Sequence, residues 1–304
     1  LTAGGEHNDR GPRRLVLGAP APAEFDPRHA RQHPVEQDQI GHAVTDALDG
    51  FVTGSRGDNP EALGFEVVAQ HLGEIGLDGV QVSLGTEKDN MHLRTPGVQA
   101  AYKRAAGEAG VAVASLAIGE LNRIPFKSDP RTIEWVSDSV DACAAMGCKV
   151  VLLAFFANGD LKGDKAGTDE VVNRLKAIAP KAEKAGVILG IESWLDADEH
   201  LDIIQRVGSP AVQVYYDVAN MEKMGYDIYS EIRRLGKEKL ICEVHAKENG
   251  FLLGQGKVDF RRVREALDEI GYSGWVQIEG AAPKGAEMLP SYRENLKFLR
   301  GVLG

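Results

Sequence analysis

Four apolar, strand-like runs in the second half of the chain each close on a side chain able to bind a metal: Val187-Ile-Leu-Gly-Ile-Glu192, Val212-Gln-Val-Tyr-Tyr-Asp217, Leu240-Ile-Cys-Glu-Val-His245 and Gly274-Trp-Val-Gln-Ile-Glu279. The closing residues are 25, 28 and 34 positions apart, the length of one strand, one helix and two loops. The same end of each strand should therefore carry the polar group. In a parallel barrel those ends converge at one rim. Three carboxylates and an imidazole held so close are costly alone, and a divalent cation makes such an oxygen and nitrogen cluster favourable. Taken singly, each carboxylate has a plainer reading as a helix N-cap or salt-bridge partner. His245 alone could be a hydrogen-bonded structural histidine. The ordered series Glu192, Asp217, His245, Glu279 is what points to a shared site. Glu243 precedes His245 by two on the same strand face and should also point inward, as a buried group supporting the ligands.

Upstream of these strands the pattern is regular. A weak strand candidate lies near Ile40 to Asp46, followed by a glycine-rich turn and a helix at about residues 61–75. Val80 to Leu84 reads as a strand, 96–109 as a helix, Val111 to Ile118 as a strand and 129–146 as a helix entered through Ser128-Asp-Pro. Lys149 to Phe155 and a helix near Thr168 to Ala185 lead into the four marked strands, and a last helix covers about Ser291 to Leu303. Eight strand-plus-helix units with β-branched strands predict an α/β fold, a closed (β/α)8 barrel in a single domain spanning 39–304. An open doubly wound sheet binding a dinucleotide would need a G-x-G-x-x-G turn after a strand. Gly254-Gln-Gly256 follows the seventh strand but lacks the third glycine.

Residues 1–38 hold five of the thirteen prolines, five arginines and six acids with little apolar periodicity, and read as an extended or flexible N-terminal arm. The chain begins at Leu1 rather than Met. A cytoplasmic location is expected, with an exported form as the alternative if a leader was removed. No run of eighteen apolar residues predicts a membrane span. The net charge of −10 argues against a nucleic-acid surface and for a small ligand held by a metal. Cys143, Cys148 and Cys242 read as buried free thiols.

The stretches Gly190-Ile-Glu-Ser, Tyr216-Asp-Val-Ala-Asn220, Val244-His-Ala-Lys-Glu248, Gly254-Gln-Gly-Lys-Val-Asp-Phe260 and Gln277-Ile-Glu-Gly280 resemble the xylose isomerase-like TIM barrels, grouped as sugar phosphate isomerases and epimerases. The resemblance runs from about Ile40 to the C-terminus. It implies a TIM barrel with one divalent ion, Mn²⁺ first and Mg²⁺, Co²⁺ or Zn²⁺ next, held by Glu192, Asp217, His245 and Glu279. The implied substrate is a small carbohydrate, keto-sugar or polyol derivative. Glu192 and Glu279 would act as the catalytic pair, one removing a proton through an enediolate and the other returning it. The family also contains ketose 3-epimerases, hydroxypyruvate isomerase, inosose dehydratase and an apurinic endonuclease. A lyase or hydrolase acting on a keto-sugar or keto-glycoside is the main alternative, and a non-catalytic sugar-binding barrel a further one. The endonuclease reading fails on charge and on histidines, since His7, His29 and His33 lie in the N-terminal stretch. A homo-oligomer is left open.

Other residues are expected at the substrate. Asn220 and Phe251 stand where ketose 3-epimerases of the family place a histidine and an arginine, so free ketoses should fit poorly. Lys247 could be a cation at the substrate carbonyl or a proton donor, or else pair with Glu248 or a neighbouring helix. Trp194 could wall a sugar ring or pack under a loop. Glu120 and Asn122 after the third strand, Phe155 and Phe156 at the fourth and Lys284 after the eighth are expected at the barrel top. Asn158 to Lys165 reads as a surface loop that could serve as a lid.

Overall fold

The computed structural model describes residues 14–17 and 60–303. Eight parallel strands close into one barrel in sequence order: β1 Arg14–Leu17, β2 Gly79–Ser83, β3 Ala112–Ile118, β4 Val150–Phe155, β5 Ile188–Ser193, β6 Val212–Asp217, β7 Ile241–Ala246 and β8 Trp275–Ile278. Closure comes from β1, which pairs with β2 on one side and β8 on the other. This corrects the sequence reading at one point. Arg14–Leu17 falls inside the stretch taken for an arm, yet it is a barrel strand, and the candidate strand near Ile40 to Asp46 lies outside the described residues. A four-residue run between prolines and charges is too short to display a period.

The helices alternate with the strands: α1 Pro60–Ile75, α2 Pro96–Ala109, α3 Arg131–Met146, α4 Lys165–Ala185, α5 Ala197–Val207, α6 Val218–Lys223, α7 Ile228–Lys237, α8 Phe260–Glu269 and α9 Met288–Leu303. Glycines at positive φ stop several of them where expected, including Gly147 after α3, Gly186 after α4 and Gly208 after α5. Among the described residues, no helix is long and apolar enough to cross a membrane.

Alternation along the strands separates two cores. Outward residues such as Val151, Leu153, Leu189, Ile191, Val244 and Ile278 pack against the helices. Inside the barrel, Ala117, Val150, Leu152, Ala154, Phe156 and Tyr215 form a second, smaller cluster, with Cys242 against it. Cys143 and Cys148 are buried at the end of α3, their sulfurs 3.1 Å apart. A polar network also runs through the barrel interior. Gln81 Nε2 donates to Ser115 Oγ at 3.0 Å and to Tyr215 OH at 3.1 Å, and Tyr215 OH donates to Glu243 Oε2 at 2.9 Å. Gln277 Nε2 closes the network by donating to Ser115 Oγ at 2.8 Å and to Glu243 Oε2. Burial pushes the Glu243 carboxyl up to about 7, against the hydrogen bonds that favour its charge.

Gly190, two residues before Glu192 on the inward face of β5, gives this interior its room. A Cβ there would lie 2.7 Å from Cys242 Sγ and 3.3 Å from Tyr215 Cβ. Gly190→Ala should therefore lower stability by about 1–3 kcal/mol through overpacking, measured by urea unfolding of the purified protein. A midpoint unchanged from wild type would contradict this packing.

Candidate metal centre

The four strand-end residues meet. Glu192 lies on β5, Asp217 ends β6, His245 is the penultimate residue of β7, and Glu279 directly follows β8. Register aligns Asp217 with His245 across β6 and β7, while the Glu279 N–H donates to Ala246 O at 3.2 Å. One ligand atom from each residue lies within 4.8 Å of every other. His245 Nδ1 faces all three carboxylates, 3.1 Å from Glu192 Oε1, 3.3 Å from Glu279 Oε2 and 3.8 Å from Asp217 Oδ2. None of the four is more than 4% exposed.

Asp217 fills both of the roles open to a carboxylate at a strand end. Its Oδ1 caps α6, accepting from the N–H groups of Ala219 at 2.9 Å and Asn220 at 2.8 Å. Its Oδ2 turns into the cluster and, though 3.4 Å from Lys247 Nζ, lacks a hydrogen-bond partner among the described residues. A buried carboxylate oxygen left this way, beside two other carboxylates and an imidazole nitrogen, fits a divalent cation of the Mn²⁺, Mg²⁺, Co²⁺ or Zn²⁺ class. The charges already strain against burial. Desolvation raises Asp217 above the ordinary carboxylate range, with Lys247 opposing it. Desolvation disfavours the His245 imidazolium, yet Glu279, Glu192 and Asp217 hold it up at about 9.

Lys247 belongs to this cluster. Its ammonium donates to Glu279 Oε2 at 3.0 Å, and Glu279, Asp217 and Glu192 raise its pKa above the lysine range against the cost of burial. Glu248 is not its partner. That carboxylate instead accepts from the N–H groups of Lys257 and Val258, both at 3.2 Å, and so binds the Gly254 to Phe260 motif to the end of β7.

The segment after Glu192 is held by residues the sequence reading passed over. His200 Nδ1 lies 2.9 Å from Asp196 O, a carbonyl that can only accept, so Nδ1 carries the proton and Nε2 accepts from Ser193 OH at 3.0 Å. Ser193 Oγ in turn accepts from Leu195 N–H at 3.1 Å. Burial pushes His200 down to about 4, which keeps it neutral. The serine directly after Glu192 was the available signal, but its distant partner carried none.

The remaining expected residues divide. Trp194, half-buried, sits edge-on to Phe156 with centroids 4.9 Å apart, and its carbonyl accepts from Tyr226 OH at 3.0 Å. Asn220 is buried on α6 beside Asp217. Asn122 is spent on the backbone, its Oδ1 accepting from Phe156 N–H at 2.8 Å. Glu120 pairs with Arg123 and accepts from Glu87 N–H. Phe155 points away from the barrel interior, edge-on to Phe126. Phe251 is 51% exposed and Lys284 is exposed as well. In the Asn158 to Lys165 loop, Lys127 bonds Asp160 O and pairs with Asp164, and Lys162 pairs with Glu199.

Comparison with known proteins finds relatives of this fold. The chain is similar to the 2-epi-5-epi-valiolone 7-phosphate 2-epimerase of Actinoplanes sp., with 26% identity over 199 residues, 64% of this chain and 73% of that protein. It is similar also to the L-ribulose-5-phosphate 3-epimerase UlaE of Salmonella heidelberg, with 25% identity over 229 residues, 68% of this chain and 78% of that one. A xylose isomerase-like TIM barrel protein from Mycobacterium smegmatis, solved in complex with magnesium, superposes with a TM-score of 0.64 at 17% identity, covering 81% of this chain and 90% of that chain. The sequence pattern of one family runs through residues 61–302, from the first described helix to the last. A match of that extent makes the chain a member of the xylose isomerase-like TIM barrel family.

Proposed function

We propose that this chain is a divalent-metal-dependent epimerase or isomerase of a small sugar, keto-sugar or polyol derivative, with Glu192 and Glu279 carrying the substrate proton. One observation supports it above the others. Glu192 and Glu279 are the outer members of the cluster in strand order, on β5 and after β8, and reach the same His245 nitrogen from their separate strands at 3.1 and 3.3 Å. A carbon bound between them has a carboxylate on either side. The two curated relatives named above are, by their names, epimerases, which supports the same reaction class.

Glu192, Asp217, His245 and Glu279 would hold the ion. A divalent cation there supplies Lewis-acid polarisation of a carbonyl and its neighbouring hydroxyl, acidifying the carbon between them. Asp217, capping α6 with one oxygen and facing the cluster with the other, serves as a fixed anchor. His245 does the same with Nδ1. Glu192 accepts the proton at a carboxylate oxygen while Glu279 returns one from the opposite side, and the roles reverse for the other epimer. Burial of the cluster excludes water from the proton's path. Trp194 and Phe156 supply an apolar wall on the β4 and β5 side.

The purified protein should carry about one Mn²⁺-class ion per chain, and the Asp217→Ala, His245→Ala double variant should lose it. Elemental analysis decides this, and full occupancy in the double variant would overturn the ligand assignment. Glu192→Gln and Glu279→Gln keep size but cannot accept a proton. Each should cut turnover at least about a hundredfold with metal content preserved. A loss that tracks metal content alone would remove the proton-transfer role. With Asn220 and Phe251 in place of an imidazole and a guanidinium, free fructose and tagatose should be poor substrates. Steady-state kinetics giving kcat/KM above about 10⁴ M⁻¹s⁻¹ on either would contradict that selectivity.

A further inference from the structure

A fifth charged group competes for the same oxygens as the ion. Lys247 lies just past β7, two residues after His245, and is buried, with 6% exposure. Its Nζ is 3.0 Å from Glu279 Oε2 and 3.4 Å from Asp217 Oδ2. These are two of the three carboxylate oxygens that approach His245 Nδ1, at 3.3 and 3.8 Å, the third being Glu192 Oε1 at 3.1 Å. The ammonium therefore hydrogen-bonds one oxygen of the cluster, on Glu279, and lies within ion-pair distance of a second, on Asp217. Its position is built in by the backbone around it. Glu248 is occupied by the N–H groups of Lys257 and Val258, and Asn249 Nδ2 donates to Ala219 O at 3.2 Å, which ties the segment after Lys247 to the helix that Asp217 caps.

Charge balance gives the arrangement a consequence. Three carboxylates, one dication and one ammonium cancel, with His245 neutral as a ligand. The same four ligands without Lys247 would leave one negative charge, and that charge would oppose any anion forming on a bound substrate. Resting on the reading of the four residues as a metal centre, we propose that Lys247 is a built-in counter-cation: it shields Asp217 and Glu279 from each other, weakens the hold on the ion, and in the loaded site donates a hydrogen bond to the oxygen of an α-hydroxycarbonyl substrate as that oxygen becomes anionic. No proton leaves the lysine. The ligand class selected is a neutral α-hydroxycarbonyl that turns into an enediolate.

The test compares wild type, Lys247→Gln and Lys247→Arg in two titrations. Mn²⁺ affinity is read first, by chelator competition on Mn²⁺-loaded protein, so that a variant folding only with the ion is still measured. Removing the charge in Lys247→Gln should tighten Mn²⁺ at least about tenfold, and Lys247→Arg should stay within about threefold of wild type. Glycolohydroxamate, an anionic enediolate mimic, is then titrated into each Mn²⁺-loaded protein. Lys247→Gln should bind it at least about tenfold more weakly than wild type. Wild type that takes up no Mn²⁺ would sink the metal-centre reading. Wild type that binds Mn²⁺ beside a Lys247→Gln that binds it no more tightly would overturn the counter-cation alone. Equal hydroxamate affinity in the two would overturn the substrate contact.

Discussion

Three carboxylates buried at one end of a barrel repel one another unless cations lie among them, and much of the local structure is an answer to that constraint. Glu192, Asp217 and Glu279 are each at most 4% exposed, and their mutual repulsion in so dry a place would otherwise open the rim. The chain meets the cost from several directions at once. His245 turns Nδ1 to all three, Lys247 bonds Glu279, and the N-terminus of α6 takes one oxygen of Asp217. One atom from each of the four residues stays within 4.8 Å of every other, close enough to share a dication. On the proposed reading, folding and metal binding would be coupled, because the groups that make the rim costly are those that would hold the ion.

Support for the rim reaches down into the barrel. Beneath the ligands, Gln81, Ser115, Tyr215, Glu243 and Gln277 form a hydrogen-bonded polar layer where barrels of this kind commonly hold aliphatic side chains. Tyr215 joins the two regions, donating to Glu243 while its ring lies 4.6 Å from that of His245. Such a layer fixes side-chain orientation more sharply than an aliphatic one, since each donor has a specific acceptor. Gly190 leaves the space that Tyr215 and Cys242 occupy. Rigidity at this level positions the ligands above it.

The four clustered residues were legible in the sequence because each one ends an apolar strand, and period two on a buried strand leaves few other reasons for a charge at the rim. The barrel was legible from the regular spacing of those strands. Arg14–Leu17 was not, because four residues amid prolines and charges carry no periodic signal, though the strand closes the sheet. Lys247 was visible as a candidate, but its partners depend on loop geometry: Glu248, its neighbour in sequence, turns to the backbone of the following turn, while Glu279, 32 positions away, receives the ammonium. Ser193 and His200 form a latch behind Glu192 that no local pattern announces. Glu120 and Asn122 sit after β3 as expected but spend their polar atoms on Arg123 and Phe156.

The central claim is that one divalent ion sits among Glu192, Asp217, His245 and Glu279 and that the rim is built around it. Anomalous diffraction at the manganese edge, from crystals of the wild-type protein grown with Mn²⁺, tests it most directly. A single strong anomalous peak within about 2.0–2.4 Å of His245 Nδ1 and one oxygen from each of the three carboxylates is the predicted result. A peak elsewhere on the molecule, with the four side chains still closed on one another, would contradict it.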